Sequence, residues 1–251
     1  MGLLGPNGSG KSTALRTVAG LLVPTVGNCR VVGVEAVSPA ARAVTGYLPE
    51  SPRFPERLTG AEVVHYYAGL SDLPAAQATH RAGRVLARVG LAAAATRRVR
   101  YYTKGMMQRL GLAQALVHDP KILILDEPPS GVDPQGLADM LEIFRQLKLA
   151  GRTLLLSSHL LDQVGEICDR IAILAKGRVL FTGSPAELTE RRNDREGFTT
   201  EPMSEACRQE LAEWLRARGH SLQEAEDRPL RLDRAYLERL RDAGLEERGE
   251  P

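Results

Sequence analysis

The feature that most constrains this chain is a glycine-rich turn close to its start. Gly2 to Gly5 is predicted to be the end of a strand, and a helix is predicted from Lys11 to Leu22. Glycines let the backbone curl until several N–H groups point at one anion, and the start of the following helix adds its positive dipole end. The turn consists of Gly5, Pro6, Asn7, Gly8, Ser9, Gly10, Lys11, Ser12 and Thr13.

This turn matches the pattern Gly-x-x-x-x-Gly-Lys-Ser in the context of strand, turn and helix. It therefore predicts a phosphate-binding loop for a nucleotide. Lys11 is the candidate to neutralise charge on the β- and γ-phosphates, and the hydroxyl of Ser12 is a candidate ligand of Mg²⁺.

A second signal lies at the end of the apolar strand predicted over Lys121 to Leu125, which runs directly into Asp126 and Glu127. Successive side chains of a strand point to opposite faces, so the two carboxylates are expected on different sides of the strand end. Asp126 can then hold the Mg²⁺ shell while Glu127 reaches an attacking water. A strand that ends in Asp-Glu is weak evidence alone, but together with the phosphate loop it strongly favours an ATPase.

Strands and helices alternate along the first three quarters of the chain. This alternation predicts an α/β fold, a P-loop NTPase core with a mostly parallel sheet and helices on both faces. Between about residues 55 and 115 the apolar spacing becomes helical, which predicts an inserted helical subdomain. The predicted strands include Cys29 to Val34, Thr45 to Leu48, Thr153 to Leu156 and Arg170 to Leu174.

The composition changes after Leu188, and residues 191–202 are polar and resemble a linker. Beyond them, Ser204 and Asp233 can each cap a short amphipathic helix. The chain is therefore predicted to divide into an ATPase domain over residues 1–190 and a small α or α+β appendage over residues 203–251.

Charge and cysteine usage narrow the class of protein. The formal net charge is +2 with 25% charged residues, which gives no reason to expect a nucleic-acid partner. The three cysteines lack metal-ligand spacing and fit a reduced cytoplasmic setting. The longest apolar runs are far shorter than the ~20 residues that span a bilayer, so any link to a membrane is expected to run through a partner.

Four further segments resemble motifs of the ABC ATPases, in the order in which that family carries them. The resemblance covers Gly2 to Leu188. Residues 102–109 resemble the family's signature motif, residues 130–133 its D-loop, residues 157–159 its switch-histidine motif and residues 46–50 its Q-loop.

The resemblance implies an ATP-binding and ATP-hydrolysing subunit that powers a separate integral membrane permease. It would lie at the inner face of the cell membrane, and two subunits, identical or different, would sandwich two ATPs. Glu127 would be the general base, and His159 would hydrogen-bond the γ-phosphate or position the attacking water. Glu50 would join Ser12 and Asp126 at Mg²⁺. The residues that it implies at the nucleotide of the opposing subunit or beside it are Thr103, Lys104, Gly105 and Asp133.

Two departures from the family pattern refine this interpretation. Lys104 stands where the family has glycine, and Glu50 stands where glutamine is commoner. Lys104-Gly105-Met106 resembles the form found in ATPases of export-type permeases, and in similar ones that serve copper-site assembly. Two alternatives stay open: an ABC-type ATPase that is not coupled to transport, and a weakly active partner subunit.

Family members carry additional strands before the phosphate loop, including an aromatic residue that stacks on adenine. In this sequence the loop begins at Gly5. We therefore expect either that the chain lacks the N-terminal strands, through truncation or a start assigned too late, or that it is a true short form.

Overall fold

The computed structural model describes residues 1–71, 73–128, 132–158, 161–189, 204–217 and 232–245. The strands are β1 (Gly2–Leu4), β2 (Arg30–Val31), β3 (Val34–Glu35), β4 (Thr45–Leu48), β5 (Ile122–Leu125), β6 (Thr153–Ser157), β7 (Ile171–Ala175) and β8 (Arg178–Gly183). The helices are α1 (Lys11–Val18), α2 (Pro39–Ala43), α3 (Gly60–Gly69), α4 (Ala75–Arg88), α5 (Lys104–Leu116), α6 (Pro134–Leu149), α7 (Leu161–Ile167), α8 (Pro185–Thr189), α9 (Glu205–Arg216) and α10 (Leu232–Asp242).

Six strands form the central sheet in the order β4-β5-β6-β1-β7-β8. The first five run parallel to their neighbours, and only β8 is antiparallel, paired with β7. In this order β1 lies beside β6, and β6 lies beside β5. The carboxyl ends of these three strands therefore meet at one edge, which brings Gly5, Asp126 and Ser158 to the same side of the sheet.

Alternation along the central strands buries both faces of the sheet. On one face, Leu3 and Ile124 pack with Leu15 of α1. On the other face, Leu4 and Leu125 belong to the main core, which includes residues of α5, α6 and α7. This arrangement confirms the predicted α/β fold, a mostly parallel sheet with helices on both faces.

Two sequence predictions about the first 40 residues were wrong. The predicted strand Cys29 to Val34 is a hairpin of β2 and β3, which reverses at Val32 and Gly33 with φ angles of 46° and 84°. Positive φ at both central residues is the geometry of a tight hairpin turn, and the valine concealed it because β-branched residues rarely adopt it.

The second error is the end of α1, which stops at Val18 and not at Leu22. Gly20 has a φ of 70°, and a Cβ there would overlap the carbonyl oxygen of Ala36. A left-handed glycine just after the last helical turn is a common helix stop.

The segment between β4 and β5 contains α3, α4 and α5, as the helical spacing predicted. The predicted capping box at the start of α3 is present, because Glu62 N donates to Thr59 Oγ1 at 3.2 Å and Thr59 N donates to Glu62 Oε2 at 2.7 Å. The hydrogen bonds that Thr59 N and Thr59 Oγ1 donate to Glu62 Oε2 lower the pKa of Glu62. Whether residues 55–115 behave as a separate subdomain stays a prediction.

The C-terminal residues add two helices. Ser204 caps α9 as predicted, accepting a hydrogen bond from Cys207 N at 3.4 Å. Asp233 does not precede its helix, since α10 already begins at Leu232. Helix α10 packs against α7 and α8, and its Ala235 and Leu240 are buried in the main core. The proposed division at residues 190 and 203 falls outside the described residues and stays a prediction.

Within the described ranges, no helix combines the length and the apolar character needed to cross a membrane.

Candidate nucleotide site

A cavity of about 680 Å³ lies at the edge where β1, β5 and β6 end. The whole glycine-rich turn forms one wall of it. The residues that line the cavity are Leu4, Gly5, Pro6, Asn7, Gly8, Ser9, Gly10, Lys11, Ser12, Thr13, Glu50, Glu127, Ser158 and Tyr236.

The turn owes its shape to two glycines. A Cβ on Gly5 would overlap the carbonyl oxygen of Leu174 on β7, so only glycine lets the loop leave β1 this close to its neighbour. Gly10 precedes α1 with a φ of 103° and makes no side-chain cap to that helix. The first N–H groups of α1 are therefore not taken by a capping side chain, which suits them to bind an anion.

Lys11 is held inside the loop that it follows. Its side chain is only 7% exposed, and Nζ donates to the carbonyl oxygens of Gly5 at 2.6 Å and Pro6 at 3.3 Å. Glu127 Oε1 lies 4.0 Å from the same ammonium group. A buried cation that contacts carbonyl and carboxylate oxygens is suited to exchange some of them for phosphate oxygens.

Ser9 supplies an independent sign that this loop accepts a polar ligand. Its hydroxyl is buried, and within the described part of the chain it has no hydrogen-bond partner. A buried hydroxyl without a partner is costly, so a ligand or water that donates or accepts at this position would stabilise the loop.

Asp126 is fully buried just behind the cavity wall. Its Oδ1 accepts from Ser12 Oγ at 3.0 Å and from Ser157 Oγ at 2.9 Å, and its Oδ2 accepts from the hydroxyl of Tyr47 at 3.5 Å. The carboxylate therefore connects the start of α1 to β4 and β6. The donor set fits Mg²⁺, because the hydroxyl of Ser12 and the carboxylate of Asp126 are the oxygen ligands that this ion prefers.

Glu127 differs from its neighbour in both backbone and exposure. It has a φ of 47°, a left-handed conformation that is uncommon for a residue other than glycine. Its amide donates to Ser157 Oγ at 2.9 Å, and its side chain is 12% exposed and lines the cavity. Asp126 thus lies in the wall and Glu127 faces the cavity, and such unusual backbone geometry is often found at functional sites.

Tyr47 adds a polar contact behind the carboxylates. Burial raises the pKa of the Tyr47 phenol, and a hydrogen bond with Arg16 opposes that rise. The same hydrogen bond raises the pKa of Arg16. Tyr47 therefore stays protonated at neutral pH and can donate to Asp126.

The cavity brings together only part of the predicted site. The glycine-rich turn, Glu50 and Glu127 line it, and Asp126 lies directly behind it. His159 lies outside the described residues, as do Ser130 and Gly131 of the D-loop-like segment.

The remaining predicted residues, Thr103, Lys104, Gly105 and Asp133, do not line the cavity. Thr103 caps α5, where its hydroxyl accepts from Met106 N at 3.3 Å, and both Thr103 and Lys104 are exposed. Asp133 caps α6 and accepts from Gly136 N at 2.7 Å.

Sequence reasoning missed the parts played by three residues. Ser157 and Tyr47 were noted only as members of motifs, yet both bind Asp126. A serine directly after an apolar strand that neighbours β5 was the available signal for Ser157. Tyr236 was expected only as part of an appendage helix, and no local pattern connects it with the cavity that it lines.

Comparisons with known proteins identify the family of this chain. The family model described as "ABC transporter" matches residues 1–130. An uncharacterized ABC transporter ATP-binding protein of Nostoc is 44% identical over 194 residues, covering 76% of this chain and 58% of the relative. The fluoroquinolones export ATP-binding protein of Mycobacterium tuberculosis is 39% identical over 196 residues, covering 77% of this chain and 64% of the relative.

A solved structure described as the ATP binding subunit of an ABC transporter has the same fold. It aligns with a TM-score of 0.68 at 31% identity, covering 74% of this chain and 79% of that one. A P-loop NTPase fold thus defines the class. The chain belongs to the ABC transporter family, among its ATP-binding proteins. It spans less than two thirds of the length of the two relatives described above.

Proposed function

We propose that this chain binds ATP with Mg²⁺ in the cavity and hydrolyses it, and that hydrolysis powers a separate membrane permease that exports its substrate. One observation carries the proposal. Lys11, Ser12 and Glu127 line a single cavity, and Asp126 lies directly behind its wall.

Phosphate binding follows from the loop. The glycine-rich backbone and the start of α1 offer N–H groups to the phosphates. Lys11 Nζ is already at the cavity wall, where the oxygens of Gly5, Pro6 and Glu127 surround it. We expect Nζ to exchange part of this shell for oxygens of the β- and γ-phosphates, as the lysine of a P-loop does.

Hydrolysis requires a base beside the terminal phosphate, and Glu127 has the position for it. A water that attacks the γ-phosphorus loses its proton to the Glu127 carboxylate while ADP leaves. Ser157 holds the Glu127 amide and also Asp126, so the two carboxylates keep their different directions.

Ser12 and Asp126 are the residues that would hold Mg²⁺, with Glu50, which lines the cavity, as a further oxygen donor. When bound, the ion would neutralise negative charge on the phosphates.

The predicted nucleotide-binding residues outside the cavity support a site that is shared by two subunits. Thr103, Lys104 and Gly105 begin α5, and the first two are exposed. We propose that they contact the nucleotide of a second ATPase subunit, identical or related, with Asp133 at the same interface. His159, which lies outside the described residues, is proposed to contact the γ-phosphate.

The proposed export direction is supported by a relative and by a motif. The mycobacterial relative is named as an export ATP-binding protein. The segment Lys104-Gly105-Met106 resembles the form found in ATPases of export-type permeases. The permease itself is expected to be a separate integral membrane protein, which would place this chain at the inner face of the membrane.

The hydrolysis step is tested by Glu127→Gln, which keeps the shape of the side chain and removes the base. We expect phosphate release to slow by ~10²–10⁴-fold while ATP binding persists. Glu142→Gln is the control, because Glu142 is an exposed glutamate on α6 that does not line the cavity. Unchanged phosphate release in Glu127→Gln would contradict the role of Glu127.

Coupling to transport needs a different measurement. The chain, reconstituted in vesicles with an export-type permease, should hydrolyse ATP faster and support ATP-dependent export of the permease's substrate. Hydrolysis that no permease stimulates would instead favour an ATPase that is not coupled to transport.

A further inference from the structure

Tyr236 is the one described residue of the two C-terminal helices that lines the nucleotide cavity. It lies on α10, more than 200 positions after the glycine-rich loop in the sequence. Outside that loop, its companions in the cavity wall are Leu4, Glu50, Glu127 and Ser158. Two of these companions are carboxylates: the proposed function places Glu127 beside the terminal phosphate and gives Glu50 as a further oxygen donor for Mg²⁺.

Contacts on both sides of Tyr236 fix α10 against the body of the domain. Ala235 and Leu240 are each only 3% exposed and belong to the main core. Leu232 Cδ2 lies 3.3 Å from the position that a Cβ would take on Gly165 of α7. The guanidinium of Arg239 lies over the ring of Phe181 on β8, 5.3 Å from its centroid.

This packing leaves little freedom for Tyr236 to leave the cavity wall. Ala235 precedes Tyr236, Leu240 follows Tyr236 by four positions, and both face the core. Side chains four apart lie on the same side of a helix, so Tyr236 lies on the same side as Leu240. Tyr236 is half-buried at the edge of that face. A tyrosine there presents an apolar ring together with a hydroxyl that can donate a hydrogen bond.

We propose that Tyr236 is a nucleotide-contacting residue whose hydroxyl donates a hydrogen bond to a phosphate oxygen of the bound nucleoside triphosphate. This inference rests on the proposed function, because it assigns a further residue to the same site. It also makes α10 part of the nucleotide site, so nucleotide occupancy and the docking of α10 stabilise each other.

The test uses Tyr236→Phe in the full chain, which removes the hydroxyl and keeps the ring that packs beside the core. Equilibrium binding of a fluorescent ATP analogue should weaken by about tenfold, since a hydrogen bond to a charged oxygen is lost. Leu237→Ala is the matched control, because Leu237 is the next residue of α10 and is 55% exposed. This control should bind the analogue as the unchanged chain does.

Lys11→Ala, measured in the same assay, separates the two possible failures. Loss of binding in Lys11→Ala with unchanged binding in Tyr236→Phe would overturn the role of Tyr236 alone. Unchanged binding in Lys11→Ala would overturn the proposed nucleotide site itself. Equal weakening in Tyr236→Phe and Leu237→Ala would show a general effect of α10 and would also overturn the inference.

Discussion

Two helices of this protein begin with a lysine beside residues predicted to bind nucleotide, and they begin in different ways. Helix α1 starts at Lys11 after Gly10, which makes no side-chain cap. Helix α5 starts at Lys104 after Thr103, whose hydroxyl caps it. Lys11 is 7% exposed inside the cavity, whereas Lys104 is exposed and outside it.

The difference supports our proposal that one chain supplies two unequal parts of a nucleotide site. The start of α1 is assembled within the chain, since its lysine, loop and neighbouring carboxylates already lie together. The start of α5 is ordered by its own cap and has no role in the cavity of its own chain. We therefore assign it to the nucleotide of a second subunit, where a helix N-terminus and a lysine both favour phosphate.

Among the variants that compare the two helix starts, the largest effect is expected from Lys11→Ala. It removes the cation that the loop encloses, and we expect hydrolysis to fall by ~10²–10³-fold, in the range found when one positioned donor to a reacting group is lost. Steady-state phosphate release measures the effect. Lys121→Ala is the control, since Lys121 is an exposed lysine at the opposite end of β5 from Asp126. Equal activity of both variants would show that the two lysines are equivalent and would contradict the assignment.

A smaller effect, of a different kind, is expected from Lys104→Glu. The change places negative charge opposite the phosphates of the second subunit, so hydrolysis should fall by about 10–100-fold. ATP binding to a single subunit should stay unchanged, because Lys104 lies outside that cavity. Binding at protein concentrations below dimer formation, compared with hydrolysis at high concentration, measures both quantities. Weakened binding at low concentration would place Lys104 in its own subunit's site.

Ser157→Ala tests the contacts that hold Asp126 and Glu127 beside the start of α1. Ser157 is fully buried and binds both Asp126 Oδ1 and the Glu127 amide, so its removal leaves two buried groups short of a partner. We expect the free energy of unfolding to fall by about 1–3 kcal/mol. Denaturant titration measures it. Ser51→Ala, at an exposed serine, is the control and should change stability little; equal loss in both variants would contradict a special role for Ser157.

The smallest effect concerns the turn after α5, where His118 Nε2 lies 3.1 Å from the carbonyl oxygen of Thr45. Burial lowers the pKa of His118 below its ordinary value, because the charged ring is disfavoured there. Its contribution to stability is therefore present above the ordinary pKa of about 6.5 and is lost as the pH falls from there toward the lowered pKa.

The free energy of unfolding, measured from pH 8 to acidic pH, checks the direction of this pH dependence. His118→Gln should flatten the part of the curve just below the ordinary histidine pKa. The control is His65→Gln, since His65 is exposed on α3. A curve that rises as the pH falls through this window would contradict a buried neutral histidine.

Much of the fold and the loop could be predicted because their signals are local. The glycine-rich turn is contiguous, and the apolar strand before Asp126 is continuous, so their chemistry can be read from neighbouring residues. The parts that escaped prediction depend on tertiary arrangement. Ser157 reaches Asp126 because β6 lies next to β5, and Tyr236 reaches the cavity because α10 packs on α7 and α8. The hairpin at Val32 escaped for a local reason, because valine seldom takes a positive φ.

The central claim is that a working site combines Lys11 of one subunit with Lys104 of another. Mixing the Lys11→Ala and Lys104→Glu chains tests it most directly, because a mixed dimer would contain one site with both changes and one site with neither. For identical subunits that pair at random, hydrolysis by the mixture should recover to about a quarter of the unchanged protein's rate. A mixture no more active than the average of the two separate variants would contradict the shared site.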